Sequence, residues 1–183
     1  MNPQVDPHPD WKPNPAWQNL PLVSAQEHRN GMRNVAVAVT IITSRHEARQ
    51  AGLTATAVVS VTAEPPRLAV FINKNVVAAD IIMQSGALCV NVLSRHQQQV
   101  AEAFAGMIKD VHGDARFGYG RWGAMVTAAP CLEDALVNFD CRVVKRYDES
   151  THHVFVCEVL ATQGDSSQEA LIYLNGAFKQ VMY

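Results

Sequence analysis

The chain has 183 residues, enough for one domain with a substantial core and a short appended segment. Hydrophobic residues make up 48% and charged residues 17%, which excludes a disordered chain, and a formal net charge of −2 excludes bulk attraction to nucleic acid or an anionic membrane. No apolar run approaches the roughly 18 residues of a membrane span, and the N-terminus lacks a basic-then-apolar signal pattern, so a cytoplasmic protein is expected.

Residues 1–23 hold six of the nine prolines, with Trp11 and Trp17 among them. Such a segment predicts an extended arm, its tryptophans docked on the body or on a second subunit; residues 24–183 form the domain. Ser24-Ala25-Gln26-Glu27 matches a capping box and starts a helix running to about Asn34, weakened by Gly31. The β-branched run Val35 to Thr43 predicts the first strand, and the charged Ser44 to Gln50 a hairpin-like loop.

The chain is organised around Gly52 to Asn75, GLTATAVVSVTAEPPRLAVFINKN. Small and hydroxyl residues (Thr54, Ala55, Thr56, Ala57) precede a strand Val58 to Thr62, the Pro65-Pro66 break, a second strand Leu68 to Ile72, and the polar Asn73-Lys74-Asn75. Small residues let backbone N–H groups approach a flat ring, and Lys74 offers a point charge to a phosphate. An ordinary antiparallel pair with a polar turn would read the same.

Val76 to Gln84 predicts a helix ended by Ser85-Gly86, and Leu88 to Leu93 a strand. Gln97 to Ala105 predicts a short helix with Val100, Ala103 and Phe104 facing inward, and Ile108 to Trp122 a surface loop. Leu136 to Lys145 and His153 to Ala161 read as strands joined by a hairpin at Arg146 to Thr151, with a last strand at Ala170 to Leu174. Helices and strands do not alternate as βαβ, so an antiparallel barrel with flanking helices is expected.

Cys89, Cys131, Cys141 and Cys157 are widely spaced in apolar surroundings, which predicts buried free thiols and no zinc or disulfide framework. Gly118 to Gly123 matches G-x-G-x-x-G, but no strand precedes it and no βαβ unit surrounds it, so it is a loop and not a dinucleotide fingerprint. Glu133, Asp134 and Glu158 form no acid–base pair that spacing alone can define. In the doublet His152-His153, strand alternation sends one ring inward and the other outward.

The blocks GLTATAVVSVTAEPPRLAVFINKN, ALCVNVLSRHQQQVAEAFAG, RW…PCLEDALVNFDCRV, THHVFVCEV and ALIYLNGAF, in that order, resemble the flavin reductase-like FMN-binding family. The nearest types are the small reductases of two-component monooxygenases. The resemblance implies a mainly β protein with flanking helices, a split β-barrel, and a homodimer with flavin near the subunit interface. It implies FMN or FAD as flavin, NADH or NADPH as hydride donor, and a partner monooxygenase that receives reduced flavin. A tightly held FMN passing electrons to a protein partner is the alternative.

Residue by residue, it implies that Thr54, Ala55, Thr56 and Ala57 line the isoalloxazine and that Asn73, Lys74 and Asn75 take the phosphate side. Cys89, Val90 and Asn91 border the flavin, and His152 lies near the nicotinamide. No catalytic side chain is implied, because hydride passes between cofactors. Two positions depart from the family pattern: Ser150 stands where a glycine precedes the histidine, and Val76 where the phosphate loop commonly carries a serine.

Overall fold

The computed structural model of the chain describes residues 12–165 and 167–181, in two units that divide between Asn34 and Val35. In the first unit, helix α1 (Ala25–Met32) begins as its sequence predicts. Ser24 Oγ accepts from the Glu27 N–H at 3.2 Å, and the Glu27 carboxylate accepts from the Ser24 N–H at 2.8 Å. Pro3, Pro7, Pro9 and Trp11 of the expected arm lie outside the described residues; Trp17 is exposed.

The second unit is mainly β. Its elements are β1 (Val37–Ala38), β2 (Thr40–His46), β3 (Arg49–Ala55), β4 (Val58–Thr62), β5 (Arg67–Asn73), α2 (Val77–Ser85) and β6 (Ala87–Val92). Then come α3 (Gln98–Phe104), a 3-10 helix (Gly113–Gly118), β7 (Trp122–Ala124), β8 (Pro130–Leu132), β9 (Val137–Glu149), β10 (His152–Gly164), β11 (Leu171–Leu174) and β12 (Ala177–Gln180). Seven strands make one antiparallel sheet in the order β3-β2-β6-β9-β10-β5-β4; β1-β11-β12 and β7-β8 make two smaller ones.

Consecutive strands β3 and β4 occupy opposite edges of the large sheet, yet only Thr56 and Ala57 separate them. A flat seven-stranded sheet would hold its edges about 29 Å apart, and the link from Ala55 to Val58 spans at most ~11 Å. The sheet therefore curls strongly, bringing both edges to the small-residue run.

β2 divides the interior. Ile42 packs with Val70, Ile72, Ile82, Val90 and Phe155 against α2, while its neighbour Ile41 points the other way, to Leu93, Val100, Phe104, Leu132 and Leu171. Strand alternation thus builds two core clusters from adjacent residues. All four cysteines are buried and free, and burial pushes the Cys157 thiol up to about 12.

Several expected boundaries differ. The first strand breaks at Val39, whose N–H donates to Leu171 O and whose carbonyl accepts from the Leu93 N–H. The loop expected over Ser44 to Gln50 is only Glu47-Ala48, and the hairpin over Arg146 to Thr151 only Ser150-Thr151, because charged strand ends keep pairing while their side chains face water. The stretch Ile108 to Trp122 is not a plain surface loop: Ile108, Val111, Phe117, Tyr119 and Trp122 pack on the second core cluster. β7, β8 and β12 were not expected.

Candidate functional site

A cavity of about 640 Å³ opens between the start of β3, the N-terminus of α2, the end of α3 and the 3-10 helix. Its shape begins at Gly52. A Cβ there would lie 2.7 Å from Cε1 of Phe104 and 3.1 Å from the carbonyl of Ile42, so only glycine lets Phe104 lie against the β3 backbone. Phe104 meets Phe117 and Trp122 at centroid distances of 5.1 and 5.3 Å, and these two rings meet at 5.1 Å. The aromatic triangle anchors the 3-10 helix and sets Arg116 on the cavity wall.

Arg116 is half-buried, and its side chain is poorly satisfied. Its Nη1 reaches only the Gly52 carbonyl, at 3.5 Å, and its Nε is buried with no acceptor among the described residues. Arg67, Arg95, Arg121, Arg142 and Arg146 each hold a carboxylate; Arg116 holds none among the described residues.

On the opposite wall, the Asn73 side-chain oxygen accepts from the Asn75 N–H at 2.9 Å, folding the loop into α2. Val76 is the N-cap and supplies no side-chain hydrogen bond. A serine there would cap the first turn, so the departure from the family pattern leaves that helix mouth open to another acceptor.

Of the residues expected from sequence, Thr54 and Asn75 line this cavity. The Thr54 hydroxyl donates to the Ala101 carbonyl at 2.7 Å, so its lone pairs, not its proton, are free for a ligand. Ala55 pairs with Thr40 inside the sheet, and Thr56 and Ala57 form the exposed inter-edge link.

Asn73, Lys74 and His152 gather elsewhere, at one end of the β5–β10 pair. His152 pairs across the ladder with Asn73, and the Lys74 N–H donates to Thr151 O at 3.0 Å. Lys74 Nζ stands 4.0 Å from Asp148, which also takes His153 Nδ1 at 2.5 Å and Arg146 at 3.3 Å. The His153 hydrogen bond above all, with Arg146 and Lys74, holds the Asp148 carboxyl below its usual range. His152 Nδ1 lies 2.8 Å from the Thr151 hydroxyl.

Cys89, Val90 and Asn91 have no exposed surface, so they give the cavity none. β6 lies between β2 and β9 with both faces covered, and Asn91 joins strands from within. Its Nδ2 donates to Ile41 O at 2.9 Å and Thr43 Oγ1 at 3.1 Å; its Oδ1 accepts from Leu132 N at 2.7 Å and Asn138 Nδ2 at 2.8 Å.

The carboxylates left unpaired by sequence are in ion pairs: Glu133 and Asp134 with Arg121, and Glu158 with both Arg67 and Arg142. The G-x-G-x-x-G segment runs into β7, not into a helix, and so lacks the helix N-terminus that would face a pyrophosphate. Ser150 sits at φ 48°, which explains physically why a glycine suits that position. Among the described residues no group of three His, Cys, Asp or Glu could hold a metal ion, and no helix is long and apolar enough to cross a membrane.

Comparison with known proteins accounts for this arrangement. Residues 32–182 match the model of the flavin reductase like domain. The chain is 38% identical over 153 residues to the FMN reductase (NADH) RutF of Agrobacterium fabrum, covering 84% of this chain and 86% of that one. It is 42% identical over 153 residues to RutF of Acinetobacter baylyi, covering 84% and 80%. Among solved structures, BorF, the flavin reductase component of a bacterial two-component tryptophan halogenase, superposes with a TM-score of 0.78 at 26% identity, over 86% of this chain and 98% of that one. The ordered blocks, the mainly β fold and a match spanning nearly all of the second unit agree: the chain belongs to the flavin reductase like domain family.

Proposed function

We propose that the chain is an NADH-dependent FMN reductase that hands reduced flavin to a partner monooxygenase. The observation that carries this reading is a family match over residues 32–182 together with a cavity of about 640 Å³ beside the small-residue run. That volume falls in the range of roughly 300–1,000 Å³ usual for small-molecule sites. The uncapped mouth of α2, facing the cavity wall that Gly52 and Phe104 build together, fits a flat ring with a phosphate tail.

When bound, the flavin and nicotinamide supply the hydride chemistry themselves. The chain orients and encloses them. The segment Thr54 to Ala57 faces the isoalloxazine. Asn75 takes the phosphate side, Asn73 fixes the turn that presents it, and Lys74 adds positive charge nearby. Cys89, Val90 and Asn91 hold the sheet from behind, and His152 receives the nicotinamide.

The curled sheet, its edges joined by two residues, supports the reading of a split barrel. A homodimer is supported by the outward rows Phe71-Val154-Tyr147 and Val59-Ala69-Val156, which the strand register lays side by side on β4, β5, β10 and β9. Val59, Phe71 and Tyr147 in these rows are exposed. Residues 1–23 are read as an arm preceding the domain, and the free buried cysteines support a cytoplasmic location.

NADH oxidation by the purified protein under air, with and without added FMN or FAD, tests the function. Turnover that saturates with added FMN is expected. FMN that stays bound and is reduced once, without turnover of free flavin, would make the chain an electron carrier. In the same assay His152→Ala is expected to raise KM for NADH while flavin affinity holds; equal loss of both, or of neither, removes that assignment.

A further inference from the structure

We infer that Arg116 binds the phosphate of the nucleotide in the cavity and so decides whether a phosphorylated flavin is preferred over the bare one. This rests on the flavin reductase reading and adds a residue to it, since the phosphate side was otherwise left to Asn73, Lys74 and Asn75.

Three observations carry it. First, Arg116 lines the cavity with its Nε buried and without an acceptor, and no carboxylate neutralises it among the described residues. Half-burying a guanidinium without a counter-charge is unfavourable unless an anion completes it. Second, Lys74, the cation expected from sequence, does not line the cavity and leans towards Asp148. The other lining charges are Arg49, which is exposed, and Asp114, which makes no ion pair with Arg116. Third, the guanidinium is held in place. Phe117, its chain neighbour, is locked into the triangle with Phe104 and Trp122, and Nη1 touches the Gly52 carbonyl. A pre-set planar fork suits a phosphate better than a mobile ammonium does.

The two nucleotides of the reaction, FMN and NADH, both carry phosphate, and a ligand series separates them. Binding of FMN and of riboflavin, which differ only in the phosphate, is measured by quenching of flavin fluorescence for the parent protein, Arg116→Gln and Arg116→Lys; KM for NADH is measured alongside. If Arg116 holds the flavin phosphate, Arg116→Gln weakens FMN about 10- to 100-fold, leaves riboflavin within about twofold, and Arg116→Lys recovers part of the loss. The FMN preference of the parent then also shrinks with added salt. If flavin affinities hold while KM for NADH rises about 10-fold or more, the phosphate is the dinucleotide's and the flavin-preference inference is overturned. Equal weakening of FMN and riboflavin, or no change in any constant, overturns the inference, and unchanged riboflavin binding shows that the variant is folded. Failure of the parent protein to bind either flavin overturns the functional reading as well, and so is distinct from failure of Arg116 alone.

Discussion

Asn91→Ala separates a scaffolding residue from a ligand-facing one. Asn91 has no exposed surface, and its shorter hydrogen bonds are two donated to Ile41 O and Thr43 Oγ1 and two accepted from Leu132 N and Asn138 Nδ2. Truncation leaves the Leu132 N–H and the Ile41 carbonyl without these partners, while Asn138 keeps a bond to Leu132 O at 3.2 Å. At about 1–3 kcal/mol for each stranded buried group, the expected loss is roughly 4 kcal/mol. For a chain of this length that lowers Tm by about 8–16 °C. Urea unfolding followed by far-UV circular dichroism gives the free energy, and flavin titration well below the new midpoint gives the affinity. Asn91→Asp sharpens the test. Its accepting oxygen remains, but the donor towards Ile41 and Thr43 becomes an acceptor. Burial raises that carboxyl's pKa, so the variant regains stability as the pH falls and the group takes up a proton. An Asn91→Ala protein as stable as its parent to within about 0.5 kcal/mol, yet with lost flavin affinity, would refute the buried-network reasoning.

Two further substitutions probe the β9–β10 hairpin and the ion pairs of Glu158. Ser150→Gly relieves the left-handed backbone at φ 48° and is expected to stabilise the β9–β10 hairpin by about 0.5–1 kcal/mol after the entropy gained by the unfolded glycine; a lower Tm would contradict this. Glu158 accepts from Arg67 and Arg142, which hold its carboxyl below the usual 4.5. Because the folded pKa is depressed, its contribution is complete above about pH 4.5 and fades as pH falls through the lowered value. Glu158→Gln should therefore be less stable than the parent at neutral pH and converge with it in acid, measured as urea midpoints across pH; a constant difference down to pH 3 would remove the linkage.

The strands and helices were legible where one physical signal dominated. The Ser24/Glu27 capping box, the β-branched runs and the Pro65-Pro66 break between β4 and β5 each gave their element almost directly. Hairpin ends are hard to place from sequence because charge marks loops and exposed strand ends alike: Arg45, His46 and Arg146 all continue their ladders. β12 follows Asn175-Gly176, both at positive φ, a dipeptide that signals a hairpin turn. β7 and β8 have three residues each, too few for any period to show.

The candidate site divides along the same line. The small residues at 54–57 stand out in the sequence, but the reason for them is topological: the chain crosses there from one edge of a seven-stranded sheet to the other in two residues. Resemblance located the neighbourhood and could not tell a side chain on the cavity wall from one behind it, which is why Thr54 and Asn75 line the cavity while Cys89, Val90 and Asn91 are sealed in the core. Arg116 was hidden for the opposite reason. It lies in a polar, glycine-rich stretch whose aromatic residues Phe117 and Trp122 gain their meaning only once Phe104 completes the triangle with them. Gly52 makes room for that contact, so the residue that opens the recognisable stretch also fixes an arginine 64 positions further on. A cation set by such a chain of packing cannot be found by spacing, and among the described residues no carboxylate meets its half-buried charge.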